Sequence, residues 1–483
     1  MGLLTHAGAE ITPRAEEADV IVVNTCSFID TAKQESIDAI LEMARHKTEG
    51  RARKLVVAGC MVERYREQIR KEIPEVDAVV GTGELEQILA ATGLQGQPQD
   101  LSASSPFAIL NFTPPQAPAL PSPRAGSASG RPSSAVAGRP SRPEATVREQ
   151  AGRFSREQWD GAVAGLPDYL YDDTTPRLLA TPRHLAYIKI AEGCDHPCTF
   201  CVIPQLRGKF RSRRFESVIA EAERLARGGV REIVLVGQDT TCYGEDLGLK
   251  DGLALLLERL AGIQELRWIR FLYAYPNKIT RRLLETMAAN NKICPYLDVP
   301  LQHSSAAVLR RMKRGGSGDI YLRLIETARR TVPQLTLRTS FIVGFPGETL
   351  EDFKQLCDFV REAKFDWMGV FAYSDEEGAP AYEMRNKVAP REINRRRKQL
   401  MEIQRRISRR QKHALVRSHF DAVLEGPSAE TQLLWKARTI MHAPEIDGDL
   451  FINDFGPHMP RAGEFYRCEI SEAHDYDLIA RLV

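Results

Sequence analysis

The sequence predicts an α/β protein of three modules: an N-terminal Rossmann-like parallel sheet, a partial (βα)6 barrel and a C-terminal all-β barrel. Three observations predict it. Apolar runs alternate with helical patterns from Asp19 to Val80 and again from His184 to Tyr373, and buried strands alternating with helices make parallel sheets. Ten prolines fall between Pro98 and Pro143 and separate these two stretches. Beyond about 415 the helical period gives way to short segments punctuated by Gly, Pro and Asp.

Composition agrees with this division. A chain of 483 residues has room for about three domains, and 43% hydrophobic with 27% charged residues excludes global disorder. No apolar run approaches the ~20 residues that span a bilayer, so no membrane partner is expected. Met1-Gly2-Leu3-Leu4-Thr5-His6 carries neither a cationic n-region nor a cleavage site, which points to a cytoplasmic chain. The 66 Lys+Arg against 64 Asp+Glu give a net +2, and this average singles out no partner. Nine cysteines in a large unexported chain read as metal ligands or reactive thiols, not as disulfides.

The first module takes residues 1–95. Asp19-Val20-Ile21-Val22-Val23-Asn24 is a buried strand ending at Thr25-Cys26, followed by a helix with Ile37, Ile40, Leu41 and Ala44 on one face. Lys54 to Gly59 repeats the design and ends at Cys60, and Val76–Val80 is a third strand. Parallel sheets carry their sites at strand ends, where Cys26 and Cys60 stand. Residues 96–180 are expected to be a disordered Pro-rich linker, too poor in apolar residues to offset its ordering entropy.

The barrel takes residues 181–412. Six strands are expected near 185–190, 231–237, 267–273, 296–301, 336–343 and 367–373, separated by helices that include 217–228, 251–262, 319–331 and 349–364. Residues 390–417 read as a basic amphipathic helix, with eleven Lys/Arg against two Glu. Its charge could face RNA or be a solvated face packed beneath the barrel. The last module, 413–483, has the opposite sign: from 416 onward it holds six Arg/Lys against twelve Asp/Glu.

The sharpest motif is Cys194-Asp195-His196-Pro197-Cys198-Thr199-Phe200-Cys201, a C-x3-C-x2-C triplet after the first barrel strand. Chance predicts about 0.003 such triplets in a chain of this cysteine content. A structural zinc site needs a fourth ligand, for which the loop offers His196. Three thiolates can instead hold three irons of a [4Fe–4S] cubane and leave the fourth open to chelate a small molecule.

The triplet matches the radical S-adenosylmethionine (SAM) signature. The stretch Ile190-Ala191-Glu192-Gly193-Cys194 through Ile203-Pro204 and Arg207-Gly208 resembles its methylthiotransferase branch. Gln238-Asp239-Thr240-Thr241 with Tyr243-Gly244, Pro300-Leu301-Gln302-His303 and Phe341 to Glu348 resemble the members that modify an aspartate of a small-subunit ribosomal protein.

The resemblance implies SAM bound at the open iron of a cluster on Cys194, Cys198 and Cys201. One electron, from a donor, then cleaves SAM to a 5′-deoxyadenosyl radical that abstracts hydrogen from the target β-carbon. The implied SAM contacts are Phe200 near the adenine, Gly237 and Gln238 near the amino group, Gln302, and Ile342 and Gly344 beside the ribose or adenine. The alternative is that these Gly and Gln residues only close βα turns. In the family's strand-five pattern a Gly stands where this chain has Ser340, and the Glu is displaced to Glu348.

The resemblance also implies a second, auxiliary [4Fe–4S] cluster carrying the transferred sulfur, with Cys26 and Cys60 as two of its three ligands. Alone, a strand-end cysteine is more often a buried small hydrophobe. The family's first ligand sits in a Gly-Cys segment after an opening strand, and neither is present here. The expectation is a start upstream of Met1; the alternative is a lost ligand and a non-catalytic iron–sulfur protein. Cys242, Cys294, Cys357 and Cys468 receive no role.

The last module resembles a TRAM barrel. An RNA-gripping module should be basic, because phosphate contacts dominate nucleic-acid affinity. An acidic one attracts basic ribosomal proteins instead. The expected partner is thus the ribosomal protein, free or within the ribosomal particle, with no dedicated nucleic-acid substrate; the alternative is a transfer-RNA adenosine.

Overall fold

The computed structural model describes residues 1–94, 107–109, 167, 169–429, 431 and 433–483. In the first module, β1 (Val20–Thr25), β2 (Lys54–Gly59) and β3 (Ala78–Val80) form a parallel sheet in that order. Central β2 is apolar on both sides because both faces are covered. Helices Asp30–Thr48 and Cys60–Glu72 pack Ile40, Val62 and Ile69 on one face, against Leu55 and Val57. On the other, Leu4 of the short helix Gly2–His6 joins Val56, Val80 and Ile88. The register sets Thr25 opposite Gly59, so Cys26 and Cys60 leave the sheet at one level.

The linker expectation needs correction at its end. β4 (Phe107–Ile109) and β5 (Arg177–Leu179) pair in parallel. Leu178 and Leu179 are buried, and Arg177 pairs with Glu221 at 2.6 Å. A short apolar pair anchored by an ion pair is invisible in a composition averaged over 96–180. Residues 110–166, with most of the prolines, lie outside the described residues.

The middle module follows the predicted rhythm. Its strands are β6 (Leu185–Lys189), the small antiparallel pair β7 (Ala191–Glu192) and β8 (Arg211–Ser212), then β9 (Glu232–Val236) and β10 (Trp268–Phe271). β11 (Tyr296–Asp298), β12 (Thr336–Val343) and β13 (Trp367–Ala372) complete it. The six long strands run parallel as β6-β9-β10 and β11-β12-β13, and a bridge from Ile269 to Ile293 joins the halves. Helices Phe215–Arg227, Gly252–Ala261, Gly318–Thr331 and Leu350–Ala363 lie where the periodicity places them. The last opens with a capping box between Thr349 and Asp352, which satisfies two otherwise orphaned groups at its N-terminus.

β14 (His419–Pro427), β15 (Trp435–Thr439), β16 (Leu450–Asp454), β17 (Phe465–Ala473) and β18 (Leu478–Leu482) close a five-stranded barrel in the order β14-β15-β16-β18-β17. It covers the end at which the parallel strands begin. Leu185, Trp268, Tyr296 and Trp367 each open a strand, and they pack with Val423 and Ala443. Glu232, which opens β9, is buried between Arg270 at 3.3 Å and Arg438 at 2.8 Å. Buried charges of this kind persist only when paired.

The basic helix, Pro390–His413, runs from the far ends of these strands to their beginnings. Near its start Ile393 presses on Gly344, just past β12; near its end Lys412 lies 3.7 Å from the ring centre of Trp367, which opens β13. Neither expectation for its charge is complete. Arg396 is buried and pairs with Glu348 and Glu392, each at 2.8 Å. Lys412 is also buried, and that burial pushes its ammonium down to about 8. Arg405 pairs with Glu402 and with Asp475 of the last module. Outside the helix, Glu348 and Asp475 meet its positive charge, and Arg397, Lys398 and Arg410 remain exposed. Among the described residues no helix is long and apolar enough to cross a membrane.

Candidate functional site

The cysteine triplet occupies the opposite end of the strands from the acidic barrel. Gly193 opens its loop with φ +80°, where an added Cβ would lie 2.1 Å from the Lys209 carbonyl oxygen. Only glycine meets both demands. The loop is then strapped to the segment after β11: Thr199 donates its N–H to the Met312 carbonyl at 3.1 Å and its hydroxyl to that of Arg311 at 2.9 Å.

Cys194, Cys198 and Cys201 are half-buried free thiols, and the charge of Cys198 reaches both of the others. Burial first, then the neighbouring sulfurs, pushes Cys194 up to about 11 and Cys201 to about 12. Such crowded thiols give up their protons readily only to a metal centre. The Ile203 N–H and Arg314 Nη1 already point at Cys201 and Cys198 sulfurs, each at 3.5 Å. This donor set fits a cluster with three thiolate ligands.

The zinc alternative loses its fourth ligand. His196 is turned away to Asp239, with Nε2 2.6 Å from Oδ2, and its ring stacks on Tyr275 at 3.8 Å. The Cys242 thiol donates to the same carboxylate oxygen at 3.1 Å. Burial acts against the Asp239 carboxylate, but bonds from His196, Thr241 and Cys242 outweigh it and hold the group below its usual range.

Of the predicted SAM contacts, Phe200 and Ile342 meet in one apolar patch with Met312, Phe345 and Tyr373. Gly237 and Gln238 follow β9, and Gln238 Oε1 is buried with no hydrogen-bond partner among the described residues. An orphaned buried acceptor beside the triplet's strand suits an ammonium donor such as the SAM amino group. Gln302 adopts φ 70°, and its backbone bonds to Ser340 and Ile342. Gly344, at φ +81°, leaves room for Ile393, whose Cγ1 would be 2.3 Å from an added Cβ. Glu348 accepts from the N–H groups of Gly344 and Phe345 and is buried against Arg396. Gly344 lies in the turn that follows β12. The displaced Glu348 ties that turn to the basic helix.

The N-terminal cysteines approach the same region. Gly59 has φ +103°, and an added Cβ would lie 2.6 Å from the Thr25 carbonyl oxygen, so the turn into Cys60 requires glycine. Cys26 is exposed and Cys60 buried, and the charge of Cys26 reaches the Cys60 thiol. The Ser27 hydroxyl donates to the Cys60 carbonyl at 3.0 Å. Cys60 packs with Ala379 and with Val202 and Leu206, the N-cap and a buried residue of the helix Ile203–Arg207 that directly follows the triplet. Arg207 of that helix bonds the Cys60 sulfur and Glu192. Burial pushes the Cys60 thiol up while Arg207 pulls it down. Lys33 to Glu376 at 2.9 Å, Arg64 to the Glu377 carbonyl at 2.9 Å and Thr82 to that of Leu206 at 3.0 Å hold the modules together. Both cysteine sets therefore share one wall.

Sequence reasoning offered His196 only as a zinc ligand and gave Arg207, Asp239, Tyr275 and Arg314 no role. His196, Arg207 and Asp239 stood inside quoted motifs; Tyr275 and Arg314 reach the site only through space.

Comparison with known proteins decides the family. Residues 188–360 match the radical SAM superfamily, 1–81 the uncharacterized protein family UPF0004 and 417–483 the TRAM domain. The chain is 67% identical to the ribosomal protein uS12 methylthiotransferase RimO of Koribacter versatilis, over 100% of this chain and 92% of that protein. The chain belongs to the RimO family. Its identity to the RimO of Solibacter usitatus is 53%, over 100% of this chain and 90% of that relative. A solved radical SAM methyltransferase, TsrM from Kitasatospora setae, aligns with TM-score 0.45 and 17% identity over 74% of this chain and 62% of its own. As a RimO-family protein the chain is a SAM-dependent radical methylthiotransferase, and its cofactors are SAM and [4Fe–4S] clusters.

Proposed function

We propose that this chain methylthiolates the β-carbon of an aspartate in ribosomal protein uS12, the substrate named for its RimO relatives. Cys194, Cys198 and Cys201 hold the SAM-binding cluster, and Cys26 with Cys60 serve the auxiliary cluster that carries sulfur. The observation that carries the assignment is the packing of Cys60 on the helix that follows the triplet, which puts sulfur delivery beside radical formation.

When bound, the clusters supply one electron for SAM cleavage and the sulfur to be inserted. The protein does the rest. Phe200 and Ile342 give the adenine an apolar wall, and Gln238 Oε1 receives the SAM amino group. The Glu348 bonds to Gly344 and Phe345 keep the turn beside the nucleoside rigid. Preorganised groups of this kind orient the reactants and exclude water that would quench a radical. A low-potential one-electron donor completes the cycle.

The acidic TRAM module favours a basic protein over RNA as substrate, met in the cytoplasm as free uS12 or in the ribosomal particle. The test is an anaerobic reaction of the reconstituted full chain with SAM and a reductant, offered uS12, small ribosomal subunits and transfer RNA in parallel. A methylthio group on one uS12 aspartate is expected, with transfer RNA unmodified. Modified transfer RNA with untouched uS12 would overturn the assignment.

A further inference from the structure

The most constrained cation near the triplet is not a ligand and has no assigned role. Arg314 is 8% exposed. Its Nη1 lies 3.5 Å from Cys198 Sγ, and its Nη2 donates to the Pro300 carbonyl at 2.9 Å. Its guanidinium carbon sits 4.4 Å from the centre of the Tyr275 ring, whose plane stacks on His196. His196 is held in turn by Asp239. A continuous line of contacts, Asp239 to His196 to Tyr275 to Arg314, thus ends on one sulfur of the triplet.

The surrounding backbone is shaped to deliver this residue. Lys313 adopts φ 52° and Gly316 φ +123°. An added Cβ at Gly316 would lie 2.6 Å from the ring of Tyr321, whose hydroxyl donates to the Gly315 carbonyl at 2.8 Å. Thr199, inside the cysteine loop, bonds to Arg311 and Met312 of the same segment. The segment that carries Arg314 and the loop that carries Cys198 are therefore fixed relative to each other.

We infer that Arg314 is a positioning residue that holds Cys198 and raises the reduction potential of the cluster on Cys194, Cys198 and Cys201. The inference rests on the ligand assignment made above. Hydrogen bonds to cluster sulfurs and nearby positive charge both favour the reduced, more negative state. Arg314 supplies both, through the fork geometry of its guanidinium. It makes the cluster easier to charge by the donor and correspondingly less forcing toward SAM.

The test is a potentiometric titration of the reconstituted full chain, followed by electron paramagnetic resonance. The cluster signal is assigned by its change on adding SAM. Cys26→Ala with Cys60→Ala serves as background, so that one cluster is titrated. Arg314→Met should keep its iron and lower the midpoint. At the parent potential its reduced-to-oxidised ratio should fall about tenfold, equivalent to 59 mV for one electron. Arg314→Lys should recover part of that loss.

A midpoint in Arg314→Met equal to or above the parent value would overturn the inference. If that variant fails to hold iron, Arg314→Gln is titrated under the same criterion, since its amide keeps a donor without the charge. A parent protein with no SAM-responsive signal would remove the ligand assignment itself, a different failure.

Discussion

The two cysteine sites of this molecule are built differently. The triplet is local: its three thiols fall within eight consecutive residues, Cys194 to Cys201, on a loop strapped at Thr199 and faced by Arg314. The N-terminal pair is assembled by topology, from two strands whose register aligns Thr25 with Gly59. One of its thiols is exposed and the other buried. A local site depends on its loop, whereas a topological site depends on the sheet and on the docking of a whole module. The first should survive damage elsewhere, and the second should not.

The largest effect that tests this difference is Cys198→Ala. It should cut SAM cleavage about a thousandfold or more, measured as 5′-deoxyadenosine formed under reductant. Cleavage at the parental rate would end the assignment of the triplet. Cys60→Ala should leave cleavage within about twofold and abolish the methylthio product, separating the two sites by function. Equal loss of both activities would show that the sites are not separable.

Arg396→Met should destabilise the chain by about 3–5 kcal/mol, because Glu348 would be left buried and unpaired. Urea unfolding reads this, and the KM for SAM should rise as the Gly344 turn loosens.

A comparable effect comes from pH. Burial holds His303 down to about 3 and His442 well below its usual range. Their folded pKa values lie below the unfolded value of about 6.5, so the unfolded chain takes up protons first. Stability is complete above that pH and falls as pH drops toward 3, by about 1.4 kcal/mol per unit for each histidine. Urea midpoints at pH 7 and pH 5 give the slope, and a flat profile would mean that water reaches these rings. Smallest of all, Arg405→Ala removes a half-exposed pair with Glu402 and Asp475. It should cost little stability, visible at most as a small shift in Tm.

The sheets and the triplet were legible because their signals are local. Buried parallel strands read as apolar runs, and all six barrel strands fall where the runs do. The triplet announces itself by spacing alone. Arg314 left no such mark: it stands 113 residues after Cys201 and reaches Cys198 only because the segment after β11 folds beneath the loop. Arg396 was hidden in a run of like charges, where sequence cannot tell the one buried guanidinium from its exposed neighbours. Leu178 and Leu179 were masked by the composition of a long Pro-rich neighbour.

The placement of the acidic module carries a demand on the substrate. It caps the beginnings of the parallel strands, while the cysteine triplet follows their ends, so the height of the barrel separates them. Five-residue strands such as β6 and β9 rise about 17 Å at 3.3 Å per residue. On the proposed function, a protein gripped by the acidic module can be altered at the other mouth only if it presents its aspartate on a protruding segment at least that long. Reach, and not only charge, would then select what is modified: a compact basic protein without such an arm would leave unchanged.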